Sequence, residues 1–121
     1  MKLIPAVVLM LLVTPTAASA AGALPDGKYQ CVMDDTLPNG EMIIAGDAYQ
    51  GPDYDGKYEG KFTFSVVSDN ITWHGPLGIY REGFDIIGSM VVSGNNNQPA
   101  IAINFKEADG DVVHTTYCDI E

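Results

Sequence analysis

The chain has 121 residues, 46% of them hydrophobic, and sets 16 Asp and Glu against six Lys and Arg, a formal charge of −10. That length fits one small domain and excludes a pair of ordinary ones. The charge disfavours nucleic acid and anionic membrane surfaces as partners and favours cationic ones, through an attraction that weakens with salt.

The first residues set the expected compartment. Lys2 supplies a short positive region, and Leu3 to Val13 is an apolar run broken only by Pro5. Ala18-Ser19-Ala20 then offers the small-x-small pattern of a signal-peptidase site, with Ala21-Gly22-Ala23 a close second. The apolar core is short for a bilayer span and lacks a basic stop-transfer flank. Residues 1–20 are therefore expected to be a signal peptide, cleaved after Ala20 or alternatively after Ala23. Residues 21–26 then form a flexible lead-in, and residues 27–121 a single domain without a membrane span. Loss of Lys2 leaves five basic residues against 16 acids, a formal −11. The expected location is the periplasm or the exterior.

Beyond Gly27 the chain carries almost no helical period, and Gly, Asn or Asp punctuation recurs at short intervals. Lys28 to Met33 reads as a first strand, followed by a polar turn through Asp34, Asp35, Pro38, Asn39 and Gly40. Glu41 to Ala45 is a second, and a short extended piece surrounds Tyr49. Lys61 to Val67 alternates, with Phe62, Phe64 and Val66 on one face, the signature of a half-buried strand. Ser68-Asp69-Asn70 turns the chain into Ile71-Thr72-Trp73, where Ile71 and Trp73 share a face and are expected in the core. Gly75-Pro76-Leu77-Gly78 interrupts the pattern, because proline cannot donate to a ladder. Phe84 to Val92 is a longer strand with Gly88 as its expected bulge. After a polar loop from Gly94 to Pro99, Ile101, Ile103 and Phe105 alternate in the next strand. Asp109-Gly110 predicts a two-residue hairpin leading into Val112 to Cys118. Seven or eight strands without a helix predict an all-β fold, a small antiparallel barrel or alternatively a sandwich.

Cys31 and Cys118 lie near the two ends of this domain. In an oxidising compartment two cysteines predict one disulfide. Closing so long a loop stabilises by about 4 to 5 kcal/mol at most on chain-entropy arithmetic. The bridge requires the first and last strands to be neighbours, with Cα atoms within about 7 Å. It also favours barrel over sandwich, since closure removes free edges.

No catalytic constellation emerges. Ser89 in Gly88-Ser89-Met90 lacks the second glycine of a nucleophile elbow. His74 and His114 are the only histidines and show no zinc-pair spacing. Asn70-Ile71-Thr72 matches a glycosylation sequon. Gly51-Pro52-Asp53-Tyr54-Asp55-Gly56-Lys57-Tyr58-Glu59-Gly60 invites a calcium reading, but Lys57 stands where an EF-hand needs an oxygen ligand. No metal or cofactor is expected. Tyr49, Tyr54, Tyr58, Trp73 and Tyr80 flank turns, and Tyr54 between two aspartates suits an exposed contact.

Two resemblances follow from these residues. Tyr49 to Gly60, with Ile71-Thr72-Trp73 and Gly75-Pro76-Leu77-Gly78, looks like a class of small exported bacterial proteins of unknown function. Tyr29-x-Cys31 in the first strand, the closing Cys118 and the acidic all-β character resemble the periplasmic inhibitors of c-type lysozyme. That likeness implies a small disulfide-bonded β-barrel that inserts a Ser-Gly-x-x-Tyr-like loop into a cationic enzyme. The nearest matches here are Asp55-Gly56-Lys57-Tyr58, without the serine, and Ser93-Gly94-Asn95, without the tyrosine. The expectation is an exported non-enzymatic binding module for a cationic protein such as lysozyme, with Asp53, Tyr54, Asp55, Lys57 and Tyr58 as its contact loop. An envelope structural or stress-related role is the alternative, and a small hydrolase or a calcium-dependent protein stands behind both.

Overall fold

A computed structural model describes residues 24–53 and 60–121; the expected leader, residues 21–23 of the lead-in and residues 54–59 lie outside the described residues. Eight strands run β1 (Gly27–Met33), β2 (Leu37–Ala45), β3 (Ala48–Asp53), β4 (Phe62–Val67), β5 (Asn70–Trp73), β6 (Phe84–Ser93), β7 (Pro99–Glu107) and β8 (His114–Ile120). Each pairs antiparallel with its neighbour in sequence, and β8 returns to β1, so the sheet is a closed barrel. The sandwich alternative is thereby excluded.

Closure rests on the expected bridge. Cys31 stands opposite Cys118 in the β1–β8 register, and their sulfurs are bonded with Cα atoms 4.0 Å apart. Cys118 also faces Ile101 on β7, so one covalent link locks three adjacent strands in register. The disulfide suggests an oxidising, non-cytoplasmic compartment.

Side chains alternate across the wall as strand geometry demands. Tyr29, Cys31, Met42, Ile44, Tyr49, Phe64, Val66, Ile71, Ile101, Ile103, Phe105 and Cys118 fill the interior. Burial of each large aliphatic or aromatic side chain contributes about 1.5 to 3 kcal/mol. Lys28, Gln30, Thr63 and Thr72 point out and are exposed. The outer face mixes these polar residues with exposed Ile43, Val67, Met90 and Tyr117. No helix among the described residues is long and apolar enough to cross a membrane.

Turn chemistry explains several acidic and amide residues. Asp34 and Asp35 (φ 50 and 65°), Ser68 and Asp69 (φ 49 and 69°), and Asn96 and Asn97 (φ 57 and 59°) are three left-handed pairs. Each sits where a hairpin twists tightly, and Asx residues tolerate that conformation best after glycine. The first of these turns is shorter than the sequence pattern implied. It closes by the Thr36 N–H donating to the Met33 carbonyl, and β2 then starts at Leu37. Pro38 is accommodated because the β1–β2 register shifts between Cys31 and Val32, and bulges tolerate a missing donor.

Asp109-Gly110 departs from its expected two-residue hairpin. Neither residue has a positive φ, the Gly110 N–H donates to the Glu107 carbonyl, and β8 begins only at His114. Glycine serves here as the last residue of a common turn, and exposed Val112 and Val113 belong to the connection. Gly88, by contrast, sits at the expected register shift of β6 against β7.

Both ends of the barrel are stoppered. At one, Leu24 is buried and the Tyr29 hydroxyl donates to the Pro25 carbonyl across 2.6 Å. At the other, a 3₁₀ turn at Gly78–Arg81 crosses the opening and sends Leu77 and Tyr80 inward. Gly78 (φ +45°) lies so close to the Gly51–Pro52 peptide that a Cβ would collide with the Pro52 carbonyl oxygen. Tyr80 lies among Phe84 and Phe105, with the Phe105 ring centroid 4.7 Å away.

Two measurements test this architecture. Replacing both cysteines by serine is expected to lower the unfolding free energy by up to about 4 to 5 kcal/mol, read as a lower urea midpoint with intact secondary structure at low urea. Burial, assisted by the Asp26 carboxylate, pushes the Tyr29 phenol up from 10.0 to about 12. The folded state then holds the Tyr29 proton longer than the unfolded chain does. Its contribution to stability is complete below pH 10 and is lost as pH rises towards 12. Ultraviolet titration should show a tyrosine titrating near 12 that disappears in Tyr29→Phe.

Candidate functional site

Antiparallel succession places the β1–β2, β3–β4, β5–β6 and β7–β8 connections at one end of the barrel. Of the residues proposed from sequence as a contact loop, Asp53 is described. It is half-buried at the tip of β3, opposite Glu41 on β2. Tyr54, Asp55, Lys57 and Tyr58 lie outside the described residues. The end also carries exposed Asp34, Asp35, Glu82, Asp109 and Asp111. Exposed apolar side chains stand among them: Leu37 at 52%, Val112 at 67% and Val113 at 56% exposure.

Not every acid there is available. Asp34 accepts from His114, with Nδ1 and Oδ2 2.7 Å apart, and its main-chain N–H donates to the Thr115 carbonyl. His114 also stacks on Phe105, with centroids 5.6 Å apart. Together these contacts pin the first hairpin turn to the start of β8. On the opposite end, Asp26 and Asp119 accept from the main-chain N–H groups of Gly46 and Asn95. Glu121 is held above the ordinary carboxyl range, chiefly by a side-chain hydrogen bond with Glu41.

A second feature lies on the wall. β6 pairs with β7 from Phe84 to Ser93, but its pairing with β5 reduces to Asn70 opposite Met90, with the Val91 N–H donating to the Asp69 carbonyl. From there the two strands diverge towards the loop end. The opening is a groove of about 400 Å³ with Ile71, Trp73 and Leu77 on one side and Ile86, Ile87 and Ser89 on the other. One side-chain contact crosses it. The Trp73 indole N–H donates to the Ser89 hydroxyl at 2.7 Å. Trp73 is anchored behind by Tyr49 and Phe64, at centroid distances of 4.8 and 5.6 Å. The Tyr49 hydroxyl in turn donates to the Pro76 carbonyl. Tyr49, Trp73 and Tyr80, all near turns in the sequence, thus support the interior from the groove's inner side.

Within the barrel, Asn39, Tyr80 and Thr116 form a buried polar triangle. The Tyr80 hydroxyl donates to Asn39 Oδ1 at 2.6 Å, and the Thr116 hydroxyl, 3.1 Å from that oxygen, shares its single proton between it and the Tyr80 oxygen it touches. A buried side-chain oxygen without a partner would cost about 1 to 3 kcal/mol, so the triangle has to close. It fastens the Gly78–Arg81 plug to β2 and β8.

His74, just past β5, meets Ser65 on β4 (3.2 Å), and His114 on β8 meets Asp34 in the first turn, so the two histidines are held in separate pairs. Ser89 receives a hydrogen bond from an indole, which activates no nucleophile. Among the described residues no three His, Cys, Asp or Glu side chains are grouped to hold a metal ion. Compared with protein-family models, curated proteins and solved structures, the chain matches none of them.

Replacing Ser89 by alanine removes the acceptor of the only tryptophan in the chain. The expected loss is about 1 kcal/mol of stability, partly offset by water reaching the half-open indole. A shift in Trp73 emission should accompany it, and an unchanged spectrum with unchanged stability would show that the bridge across the seam does not form in solution.

Proposed function

We propose that the chain is an exported, non-enzymatic binding module, acting in the periplasm or outside the cell, whose partner is a cationic protein. Lysozyme is the most specific candidate. The observation that carries this reading is the composition of the loop-bearing end. Acids from three connections stand there among exposed Leu37, Val112 and Val113, on a barrel braced by a disulfide. Such an end gives an incoming basic surface both steering and apolar contact, and its rigid support lowers the ordering cost of binding. The resemblance to inhibitors of c-type lysozyme points to the same chemistry. In this reading the segment from Asp53 to Tyr58 reaches the partner, with Asp53 and Asp55 meeting basic groups and Tyr54 and Tyr58 packing.

Purified protein beginning at Ala21, added in excess to c-type lysozyme, is expected to suppress lysis of a peptidoglycan substrate. Association should slow as salt rises, the mark of long-range steering. Tyr54→Ala should weaken the complex by about tenfold or more if this tyrosine is a central anchor. Failure to inhibit c-, g- and i-type enzymes removes lysozyme as the partner. Equal binding of acidic and basic proteins by the same chain removes the cationic reading altogether.

A further inference from the structure

Closed barrels normally leave no strand edge free. Here the edge of β6 from Phe84 to Ser89 has no ladder partner on the β5 side among the described residues, although its other edge is paired with β7 at every position but the bulged Ile87. The wall remains closed because of one residue pair below, the Trp73–Ser89 bridge beside it and the plug above. An open run of main-chain donors and acceptors is a shape that only another extended backbone matches along its length. The side chains there agree. At the register shift, Ile86 and Ile87 are consecutive and both exposed, at 37% and 54%. They form an apolar lip over a groove whose other wall is Ile71 and Trp73.

Charge selects among possible occupants. The groove itself is uncharged, but exposed Asp69 lies at its closed end and exposed Glu82 and Asp85 at its open end. Asp85 is answered by Lys106 at 3.4 Å, which leaves Glu82 and Asp69 as the outer acids. A second copy of this chain would bring another body of formal charge −10 against the same edge. An extended segment with basic ends would instead meet acids at both.

We propose that the β5–β6 seam is a peptide-binding site. An extended, alternating apolar segment flanked by Lys or Arg adds as a strand along Phe84 to Ser89, its inward side chains entering the groove beside Trp73. This site is on the barrel wall and shares only Glu82 with the loop-bearing end, so the Ile87 and Tyr54 variants test the two readings separately.

The probe is the end-blocked peptide KVTVTIK, with EVTVTIE and KVTPTIK as controls. Titration of the full domain from Ala21 with KVTVTIK should shift Trp73 emission in a saturable way. Amide exchange should slow between Ile86 and Ser89. The acidic control should bind at least about tenfold more weakly, and the proline control, which cannot complete the ladder, should give no protection. Ile87→Lys, at an exposed position, should weaken the basic peptide by tenfold or more while the urea midpoint stays unchanged. Glu82→Gln with Asp69→Asn should erase the preference for the basic peptide, while Tyr54→Ala should leave it intact. The proposal is overturned by an unchanged Trp73 spectrum at millimolar peptide or by equal protection from the proline control. Protection of these amides that grows with protein concentration without peptide would assign the edge to a second copy instead.

Discussion

The rest of the molecule depends on how β1 meets β8. Antiparallel succession alone would yield a curved sheet with two free edges, and joining those edges costs the entropy of holding distant parts of the chain together. The Cys31–Cys118 bridge removes much of that cost, because it restricts the unfolded chain across 87 residues of separation. Its placement matters as much as its presence. Both cysteines face the interior at the middle of their strands, and Cys118 stands opposite Ile101 as well as Cys31. The register of β7, β8, β1 and β2 therefore follows from one fixed point, and a one-residue slip would turn Tyr29, Ile103 and Phe105 outward.

With that side secured, the opposite side is lightly joined. The β4–β5 hairpin attaches to β3 through Ala48–Thr63 and Tyr49–Phe62, and to β6 through Asn70–Met90. Its hold on the body comes from rings more than from ladders, since Tyr49 meets Phe62, Phe64 and Trp73. Aromatic pairs of this kind contribute about 0.5 to 1.5 kcal/mol each beyond their burial. Few ladder pairs hold this hairpin to its neighbours, and the seam lies along it. The interior, meanwhile, is filled by side chains and by the Tyr80 plug. Function has to be sought on the wall and at the loop-bearing end.

Much of this was legible in the sequence, and the reasons differ by element. Strands such as Phe62–Val67 and Pro99–Glu107 declare themselves because one face is apolar and the period is two. The disulfide was legible because two cysteines have one intramolecular pairing. Gly88 announced its bulge. Asp109-Gly110 misled, because the same dipeptide serves two turn types and the backbone angles depend on where β8 resumes pairing. The polar triangle could not be foreseen, since Asn39, Tyr80 and Thr116 are brought together only by barrel closure and the crossing of the plug. The seam was half visible. Gly75 and Pro76 show where β5 must stop, but that β6 continues alone is a property of strand lengths around a closed wall. Of the contact-loop residues nominated from composition, Asp53 has a described place, at the end the topology assigns to its loop.

The acidity of the chain can be divided in the same way. Asp34 and Asp69 have left-handed turn geometry, Asp26 and Asp119 accept from loop N–H groups, and Asp85 meets Lys106. These acids serve the fold, so net charge alone overstates how much of it is meant for a partner. Asp35 too belongs to a turn, yet its side chain is exposed, as are those of Glu82, Asp109 and Asp111. Like charges gathered on one end oppose compactness, and a domain this small has little core with which to offset them. Retaining them beside exposed Leu37, Val112 and Val113 adds an apolar surface to water as well. Neither feature helps the barrel fold, and together they are the reason for proposing a basic, partly apolar partner.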